Sequence, residues 1–347
     1  MRLYLIRHGE TVDNVAGLYA GVRDSALTNH GIEQARKLGA YFAKTDVKLT
    51  HIYASPLQRA FKTAEAVRDT QVAIVNTQSN GEEGGSNAGK LDIIKVPHLI
   101  EQDFGFYEGR PFYTRSSDPR KSGREAHHHK HKNDPGFVDV ETKESMYGRA
   151  DNFLDQHLIP LALGQAAGTD KDLIVGVVSH GILLSNLWRR LLLRLPRKSL
   201  SIAAEVTAAR GPLVLEHLGG WSNTGYLELC ITRPDDNLPR SPQPADTKES
   251  ADVRISVSST PLPKTPTRSL ARNAVGSKVE QISAASTSSP SAPLNPITLA
   301  GWSTTIVAVD SKQHLIGLKR QRGGIGRLAH DEGQKKLDFF FKRQKKA

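Results

Sequence analysis

Two histidines in this sequence follow short apolar segments, and each is followed by glycine. His8 comes after residues 2–7 in an Arg-His-Gly sequence, and His180 comes after residues 173–178 in a Ser-His-Gly sequence. Both apolar segments have the length and the branched side chains of buried strands. Because α/β sheets bind ligands just beyond the carboxyl ends of their strands, we expect both imidazoles to reach one pocket.

Two arginines accompany these histidines. Arg7 precedes His8, and Arg59 lies about one turn inside a helix predicted to begin at residue 57, after a short strand at residues 50–54. Guanidinium groups bind phosphate through charge-assisted hydrogen bonds, and a neutral imidazole is a nucleophile near neutral pH. The combination favours phosphoryl transfer, in which charge spreads over three phosphate oxygens.

The ordered set of motifs resembles the histidine phosphatase superfamily, in its phosphoglycerate-mutase-like branch. The resemblance covers roughly residues 1–233 and includes, besides Arg-His-Gly, blocks at residues 21–28, 99–101 and 105–109 in the order typical of that family. It implies an α/β fold, a three-layer αβα sandwich of the phosphoglycerate mutase-like type.

The resemblance also implies a role for each site residue. His8 is the nucleophile that becomes a phosphohistidine, Glu101 is the general acid and base, and Glu108 is structural. For acid catalysis Glu101 has to be protonated, and a charged second imidazole is preferred for stabilising the transferring phosphoryl group. The implied site residues are His8, Glu101 and His180 for catalysis, and Arg7, Asn14, Gly21, Arg59 and Gly181 for substrate binding. No metal or other cofactor is implied.

Three functions fit these residues. A phosphatase acting on phosphorylated small molecules or phosphoproteins is favoured, because the Glu-Gly-Arg sequence at residues 108–110 and the divergent basic insertion after it resemble the broad phosphatase or fructose-bisphosphatase-like members of the family more than a dedicated glycolytic mutase. A phosphoglycerate mutase-type phosphotransferase is the first alternative. The second is a nuclear adaptor whose phosphatase domain serves as a scaffold, although the joint presence of every expected pocket residue favours an enzyme.

Alternating helices and strands support the three-layer fold. Helices are predicted at residues 29–44, 57–69, 144–163 and 181–194, and strands at residues 2–7, 50–54, 173–178 and 225–232.

Two insertions interrupt this alternation. Residues 76–90, rich in glycine and polar residues, predict a flexible surface loop, and residues 110–137 lie where the family often carries a substrate lid. The second insertion contains His127, His128, His129 and His131, and the bases Lys121, Arg124 and Lys130. The histidines are typical of a solvated loop more than of a metal site, and the bases are suited to attracting a polyanionic substrate.

Composition predicts the cellular compartment of the protein. The single cysteine, Cys230, excludes an intrachain disulfide and favours a reducing compartment. The first strand begins at residue 2, which leaves no room for a secretory segment, and arginines interrupt the leucine-rich residues 182–195. We therefore expect a soluble protein without membrane contact, in the cytoplasm, the nucleus or both.

The C-terminal third changes character. Residues 234–300 are dominated by Ser, Thr, Pro and Ala, a composition that predicts a disordered linker. Residues 302–309 have the β-branched content of a short strand that pairs onto a sheet edge. They open a final region at residues 301–347, which continues as a basic tail.

The tail carries most of the excess charge. Residues 311–347 contain eleven lysines and arginines against three carboxylates, so they contribute +8 of the chain's +11. Such a tail is commonly only solvated, but it also fits nuclear import or weak nucleic-acid contact. Gln334, Leu337, Phe340 and Phe341 have the spacing of the motif (PIP box) that binds the sliding clamp PCNA. The alternative is that these phenylalanines dock on the catalytic domain.

Overall fold

A mixed β-sheet forms the centre of the fold. The computed structural model describes residues 1–78, 91–111, 128–164, 173–233, 296–321 and 324–331, and within these ranges the sheet has seven strands. They are β1 (Arg2–Arg7), β2 (His51–Ala54), β3 (Ile93–Lys95), β4 (Ile174–Ser179), β5 (Leu200–Ile202), β6 (Tyr226–Thr232) and β7 (Ser303–Ser311).

The strand order brings the two histidine turns together. The sheet runs β3-β2-β4-β1-β6-β7-β5, with β1 and β2 parallel to β4 and with β6 antiparallel to β1. Arg7, the last residue of β1, pairs with Ser179, the last residue of β4. The two strands therefore end side by side at the same edge of the sheet, and His8 follows one of them and His180 the other.

Helices cover both faces of the sheet. They are α1 (Val12–Ala16), α2 (Asn29–Lys44), α3 (Gln58–Gln78), α4 (Lys143–Phe153), α5 (Ile159–Gly164), α6 (Gly181–Leu192) and α7 (Ala204–Arg210). Alternate side chains of β1 point to opposite faces. Leu3 and Leu5 join the core beneath α4, α5 and α6, whereas Tyr4 and Ile6 join the core beneath α2 and α3. The predicted three-layer α/β fold is confirmed.

Several boundaries differ from prediction. Helix α3 continues to Gln78, because residues 58–78 contain neither glycine nor proline, so the expected loop at 76–90 is wrong for its first three residues. Residues 79–90 lie outside the described ranges. The helix predicted at 144–163 contains a π-helical turn, Leu154–Leu158, between α4 and α5. The short elements α1, β3, β5 and α7 were not predicted.

The described part of the second insertion makes specific contacts. His128, His129 and His131 lie in a helical turn, and His131 Nδ1 is 2.7 Å from a carboxylate oxygen of Asp134. Across the described ranges, no group of three or more His, Cys, Asp or Glu is suited to a metal ion. Residues 112–127, with His127, Lys121 and Arg124, lie outside them.

The C-terminal strand is an integral part of the sheet. Strand β7 confirms the strand expected at residues 302–309, but β5 pairs with its outer side, so β7 is not an edge strand. The described residues resume at Pro296, inside the expected linker at 234–300, and Leu299 is buried and donates a backbone hydrogen bond to the carbonyl oxygen of Arg194.

The described residues of 1–233 and 296–331 belong to one compact unit. No described helix is both long enough and apolar enough to span a bilayer. The clamp-binding motif at residues 334–341 lies outside the described ranges.

Candidate active site

A cavity of about 360 Å³ opens at the carboxyl ends of β1 and β4. Six of the residues predicted for the site line it: Arg7, His8, Asn14, Arg59, Glu101 and Gly181. The other two lie immediately behind this wall. The ring of His180 is 5.1 Å from the ring of His8, and Gly21 follows the lining residue Ala20.

His8 is held as a neutral imidazole with a defined tautomer. Its side chain is buried, and Nδ1 lies 2.7 Å from the carbonyl oxygen of Gly9. A carbonyl only accepts, so Nδ1 carries the proton and the free lone pair is on Nε2. Burial, and then the positive charges of Arg7 and Arg59, hold the pKa of His8 well below its ordinary value. Its ground state is the form that can attack phosphorus.

Arg7 is a partly buried cation with one N–H donor that no described residue accepts. Its Nη1 donates to the carbonyl oxygen of Trp221 over 2.6 Å, but its Nε has no hydrogen-bond partner among the described residues. Burial lowers the pKa of Arg7, against the opposing charges of Glu101 and Asp310. An unpaired donor on a desolvated cation beside a cavity favours an anionic ligand there.

Arg59 is fixed by carbonyl groups of the loop that precedes α2. Its Nη1 donates to the oxygen of Arg23 over 2.8 Å, and its Nη2 donates to the oxygens of Ala20 and Gly21 over 3.1 and 2.6 Å. Its Nε donates to His180 Nδ1 over 3.2 Å. The guanidinium is therefore oriented before any ligand arrives.

His180 is neutral, which corrects the expectation of a charged second imidazole. Because its Nδ1 accepts from Arg59, the proton is on Nε2, which lies 2.9 Å from the hydroxyl of Ser55. Burial, and then the charges of Arg59, His8 and Arg7, hold the pKa of His180 well below its ordinary value. Ser55 was missed from the sequence, although it stands directly after the strand that leads to Arg59.

Glu101 sits at the N-terminus of α6. One carboxylate oxygen accepts from the backbone N–H of Leu183 over 2.9 Å and of Gln102 over 3.0 Å, and the other accepts from Ile182 over 3.1 Å. Backbone donors at a helix N-terminus stabilise a carboxylate. Arg149 donates to the carbonyl oxygens of Ile100 and Glu101, which fixes the preceding turn.

Glu108 builds the loop that holds Arg59. Its carboxylate accepts backbone hydrogen bonds from Gly21, Val22, Arg23 and Phe104, all between 3.0 and 3.3 Å. Gly21 fits this close approach, because an added Cβ would lie 2.3 Å from the Glu108 carboxylate and 2.0 Å from the carbonyl oxygen of Gln102. In the structure Gly21 therefore shapes the loop, and its carbonyl holds Arg59.

Residues 221–225 form a part of the site that sequence reasoning missed. Asn223 donates from Nδ2 to the oxygen of His8 over 3.2 Å and to Oδ1 of Asn14 over 3.1 Å. The indole N–H of Trp221 donates to Ser185 over 3.0 Å, which fixes the ring in the cavity wall. No motif marks these residues, and the only signal was a polar turn ending in glycine just before β6.

The rest of the wall is largely apolar or aromatic. Besides Thr11, Ser185 and the small residues Ala20 and Gly220, it comprises Leu18, Tyr19, Phe104, Ile182 and Trp221. Tyr19 and Phe104 pack against each other with ring centroids 4.7 Å apart. The cavity thus combines an anion-binding floor, a nucleophilic nitrogen and a carboxylate with a wall suited to a carbon skeleton.

Known proteins are similar to this chain in sequence. A "Probable phosphatase" of Schizosaccharomyces pombe is 32% identical over 229 residues, which are 65% of this chain and 64% of that protein. A "Probable phosphoglycerate mutase GpmB" of Erwinia tasmaniensis is 44% identical over 118 residues, 34% of this chain and 46% of that protein. The chain therefore spans less than two thirds of the length of these relatives.

A solved phosphoglycerate mutase of Bacillus anthracis aligns over 66% of this chain and 87% of its own, with 22% identity and a TM-score of 0.45. The sequence model of the histidine phosphatase superfamily (branch 1) matches residues 3–208, more than half of the chain. The chain belongs to the histidine phosphatase superfamily, branch 1.

Proposed function

We propose that this protein is a phosphatase that hydrolyses phosphomonoesters through a phosphohistidine on His8, with Glu101 as general acid and base. The observation that carries the proposal is the state of His8, a buried neutral imidazole whose Nδ1 is bound to Gly9 and whose Nε2 lone pair is free. The unpaired Nε of Arg7 beside the same cavity supports phosphate as the ligand.

In the first step, His8 Nε2 attacks phosphorus and the ester P–O bond breaks. Arg7 and Arg59 stabilise the charge on the transferring group, and Glu101 gives its proton to the departing alkoxide. The negative charge of a bound phosphoryl group favours protonation of a neighbouring carboxyl group.

In the second step, water attacks the phosphohistidine. The ionised Glu101 takes a proton from that water, the P–N bond breaks, and orthophosphate leaves with His8 neutral again. The three N–H groups that hold Glu101 suit this half of the cycle, in which the carboxylate is the base.

The substrate is a phosphorylated small molecule or a phosphorylated side chain. The cavity volume suits one phosphoryl group and a small alcohol, and the ring pair of Tyr19 and Phe104 offers a surface for its carbon skeleton. A phosphoglycerate mutase-type phosphotransferase uses the same first step and differs in the acceptor. The relatives carry both kinds of name.

Purified full-length protein and a panel of phosphomonoesters test the proposal. Orthophosphate release that disappears in His8→Gln and persists in His51→Gln supports it, since His51 lies at the opposite, amino end of β2. Phosphoryl transfer to an added hydroxy acid in preference to water would instead support the mutase. Release that persists in His8→Gln would contradict both.

From the sequence alone we also propose that the C-terminal tail binds the sliding clamp. The spacing of the clamp-binding motif is present in Gln334, Leu337, Phe340 and Phe341. The neighbouring lysines and arginines supply positive charge that would complement an acidic rim around the clamp's binding pocket. This binding would place a phosphatase, or an adaptor with a phosphatase domain, in the nucleus.

A further inference from the structure

Residues 222–225 form backbone hydrogen bonds with Arg7 and His8 at the carboxyl end of β1. The N–H of Thr224 donates to the carbonyl oxygens of Arg7 and His8 over 3.0 and 3.2 Å. In return the N–H of Arg7 donates to the oxygen of Gly225 over 3.1 Å. This segment, which we call the 222–225 turn, therefore fixes the backbone positions from which the side chains of Arg7 and His8 project.

Asp310, at the end of β7, holds the first residue of this turn. One carboxylate oxygen accepts from the N–H of Ser222 over 2.7 Å, and the other accepts from its hydroxyl over 2.9 Å. Gly225 makes the approach feasible, since an added Cβ would lie 2.1 Å from Asp310 Oδ1. The Asp310 side chain is 11% exposed, so these bonds are shielded from water.

His314, in the turn after β7, holds the third residue. The hydroxyl of Thr224 donates to the oxygen of Asn223 over 2.7 Å, so it accepts from His314 Nε2, which is 2.9 Å away. The imidazole is buried and stacks near the ring of Tyr226. Because burial lowers the pKa of His314 to about 4, the imidazole stays neutral at neutral pH.

Backbone conformation points to the same constraint. Thr224 and Asp310 have φ angles of 55° and 41°, in the left-handed region that residues other than glycine seldom adopt. Such conformations persist where the surrounding contacts determine them, and they cluster at functional sites. Here the two residues belong to the turn and to the side chain that holds it.

We propose that Asp310 and His314 are positioning residues of the active site, which act on Arg7 and His8 through the 222–225 turn. Neither is among the residues that line the cavity. Both lie beyond the family match at residues 3–208 and after the 234–295 interval. The segment that begins at Pro296 thus completes the catalytic site. This inference rests on the proposed phosphatase function.

The test uses the full chain with Asp310→Ala, Asp310→Asn, His314→Ala and Gln313→Ala. Gln313 is the matched control, because it neighbours His314 but bonds to Tyr41 and not to the turn. The readouts are kcat and KM for nitrophenyl phosphate, thermal unfolding, and the NMR shift of the His8 Nδ1 proton.

Displacing a catalytic group by about 1 Å costs roughly a hundredfold. We therefore expect kcat to fall tenfold to a hundredfold in Asp310→Ala and His314→Ala, with a shifted His8 proton. Asp310→Asn should recover most of kcat, because the amide can accept from the Ser222 N–H and donate to its hydroxyl. Gln313→Ala should keep the wild-type kcat and the His8 shift.

Wild-type kcat in both alanine variants, with only a lower melting temperature, would overturn the inference. If Asp310→Ala does not fold, Ser222→Ala removes one of its two bonds and should give a smaller loss of kcat, and no loss would again be contradictory. An inactive wild type would instead reject the proposed function. In that case an unshifted His8 proton in His314→Ala still overturns the positioning role.

Discussion

Arg59 donates from Nε to Nδ1 of His180 over 3.2 Å, and this bond requires the imidazole to be neutral. The proton is on Nε2, which donates a hydrogen bond to the hydroxyl oxygen of Ser55. With His8 also neutral, the positive charge of the site comes from Arg7 and Arg59. The arrangement keeps the nucleophile unprotonated beside two cations, where an imidazolium would be repelled.

Histidine titration tests this charge state. Because the pKa values of His8 and His180 are lowered, both rings should stay neutral from pH 8 down through the ordinary value of about 6.5. Nitrogen shifts from two-dimensional NMR should show the Nδ1–H tautomer for His8 and the Nε2–H tautomer for His180. Arg59→Met should raise the pKa of His180, since it removes a cation. A charged His180 at pH 7 in the free wild type would contradict the account.

Leaving-group dependence tests the role of Glu101. Glu101→Gln should slow cleavage most for alkyl phosphates and least for nitrophenyl phosphate, whose leaving group needs little proton assistance. Rates across a series of esters with graded leaving-group pKa give this slope. An equal loss for all esters would remove Glu101 from the acid role, and Glu33→Gln, an exposed carboxylate paired with Arg36, is the control.

Glu108→Gln should behave differently, which separates structure from chemistry. Glu108 holds the backbone around Gly21, and that loop holds Arg59. The variant should therefore slow the cleavage of all esters in the same series to a similar degree, because Arg59 is displaced.

Strong local patterns predicted the central sheet and the pocket. The strands predicted at residues 2–7 and 173–178 are observed at Arg2–Arg7 and Ile174–Ser179, where they pair in parallel, and α2 spans the predicted residues 29–44. The pocket residues could be predicted because His8, Arg59 and His180 each lie directly after a strand or at the start of a helix, where the fold determines their position.

Contacts distant in sequence were beyond prediction. Asn223 meets Asn14 across more than two hundred residues, and Asp310 and His314 reach the 222–225 turn from beyond the 234–295 interval. Arg320 likewise forms an ion pair with Glu10, which lies two residues after His8. Single polar residues carry no periodicity, so their partners appear only when tertiary packing brings them together. The neutral state of His180 likewise depends on burial.

The stability of the protein should depend on the pH through His314. Burial lowers its pKa from 6.5 to about 4, so between these values the unfolded chain binds more protons than the folded protein. The free energy of unfolding should therefore fall as the pH drops below about 6.5, by roughly 2 to 3 kcal/mol from this residue at pH 4.5. Urea unfolding of wild type and His314→Gln at pH 7 and pH 4.5 measures it, and equal losses in both proteins would exclude this contribution.

The tail motif predicts clamp binding. A peptide of residues 330–347 should bind PCNA by calorimetry at micromolar concentration, and the double change Phe340→Ala with Phe341→Ala should abolish the binding, since pocket-filling aromatics supply most of the energy of small interfaces. Lys345→Ala is the matched control and should weaken binding only slightly. No heat of binding from the wild-type peptide would reject the proposal, and a lower melting temperature after deletion of residues 332–347 would favour docking on the catalytic domain.

The most direct test of the central claim is capture of the intermediate. Full-length protein incubated briefly with a labelled phosphomonoester and quenched in alkali should carry label that is stable in base and lost in acid, because the P–N bond of a phosphohistidine hydrolyses in acid. The label should map to His8, vanish in His8→Ala and persist in His51→Gln. Acid-stable label, or label that survives in His8→Ala, would contradict the phosphohistidine mechanism.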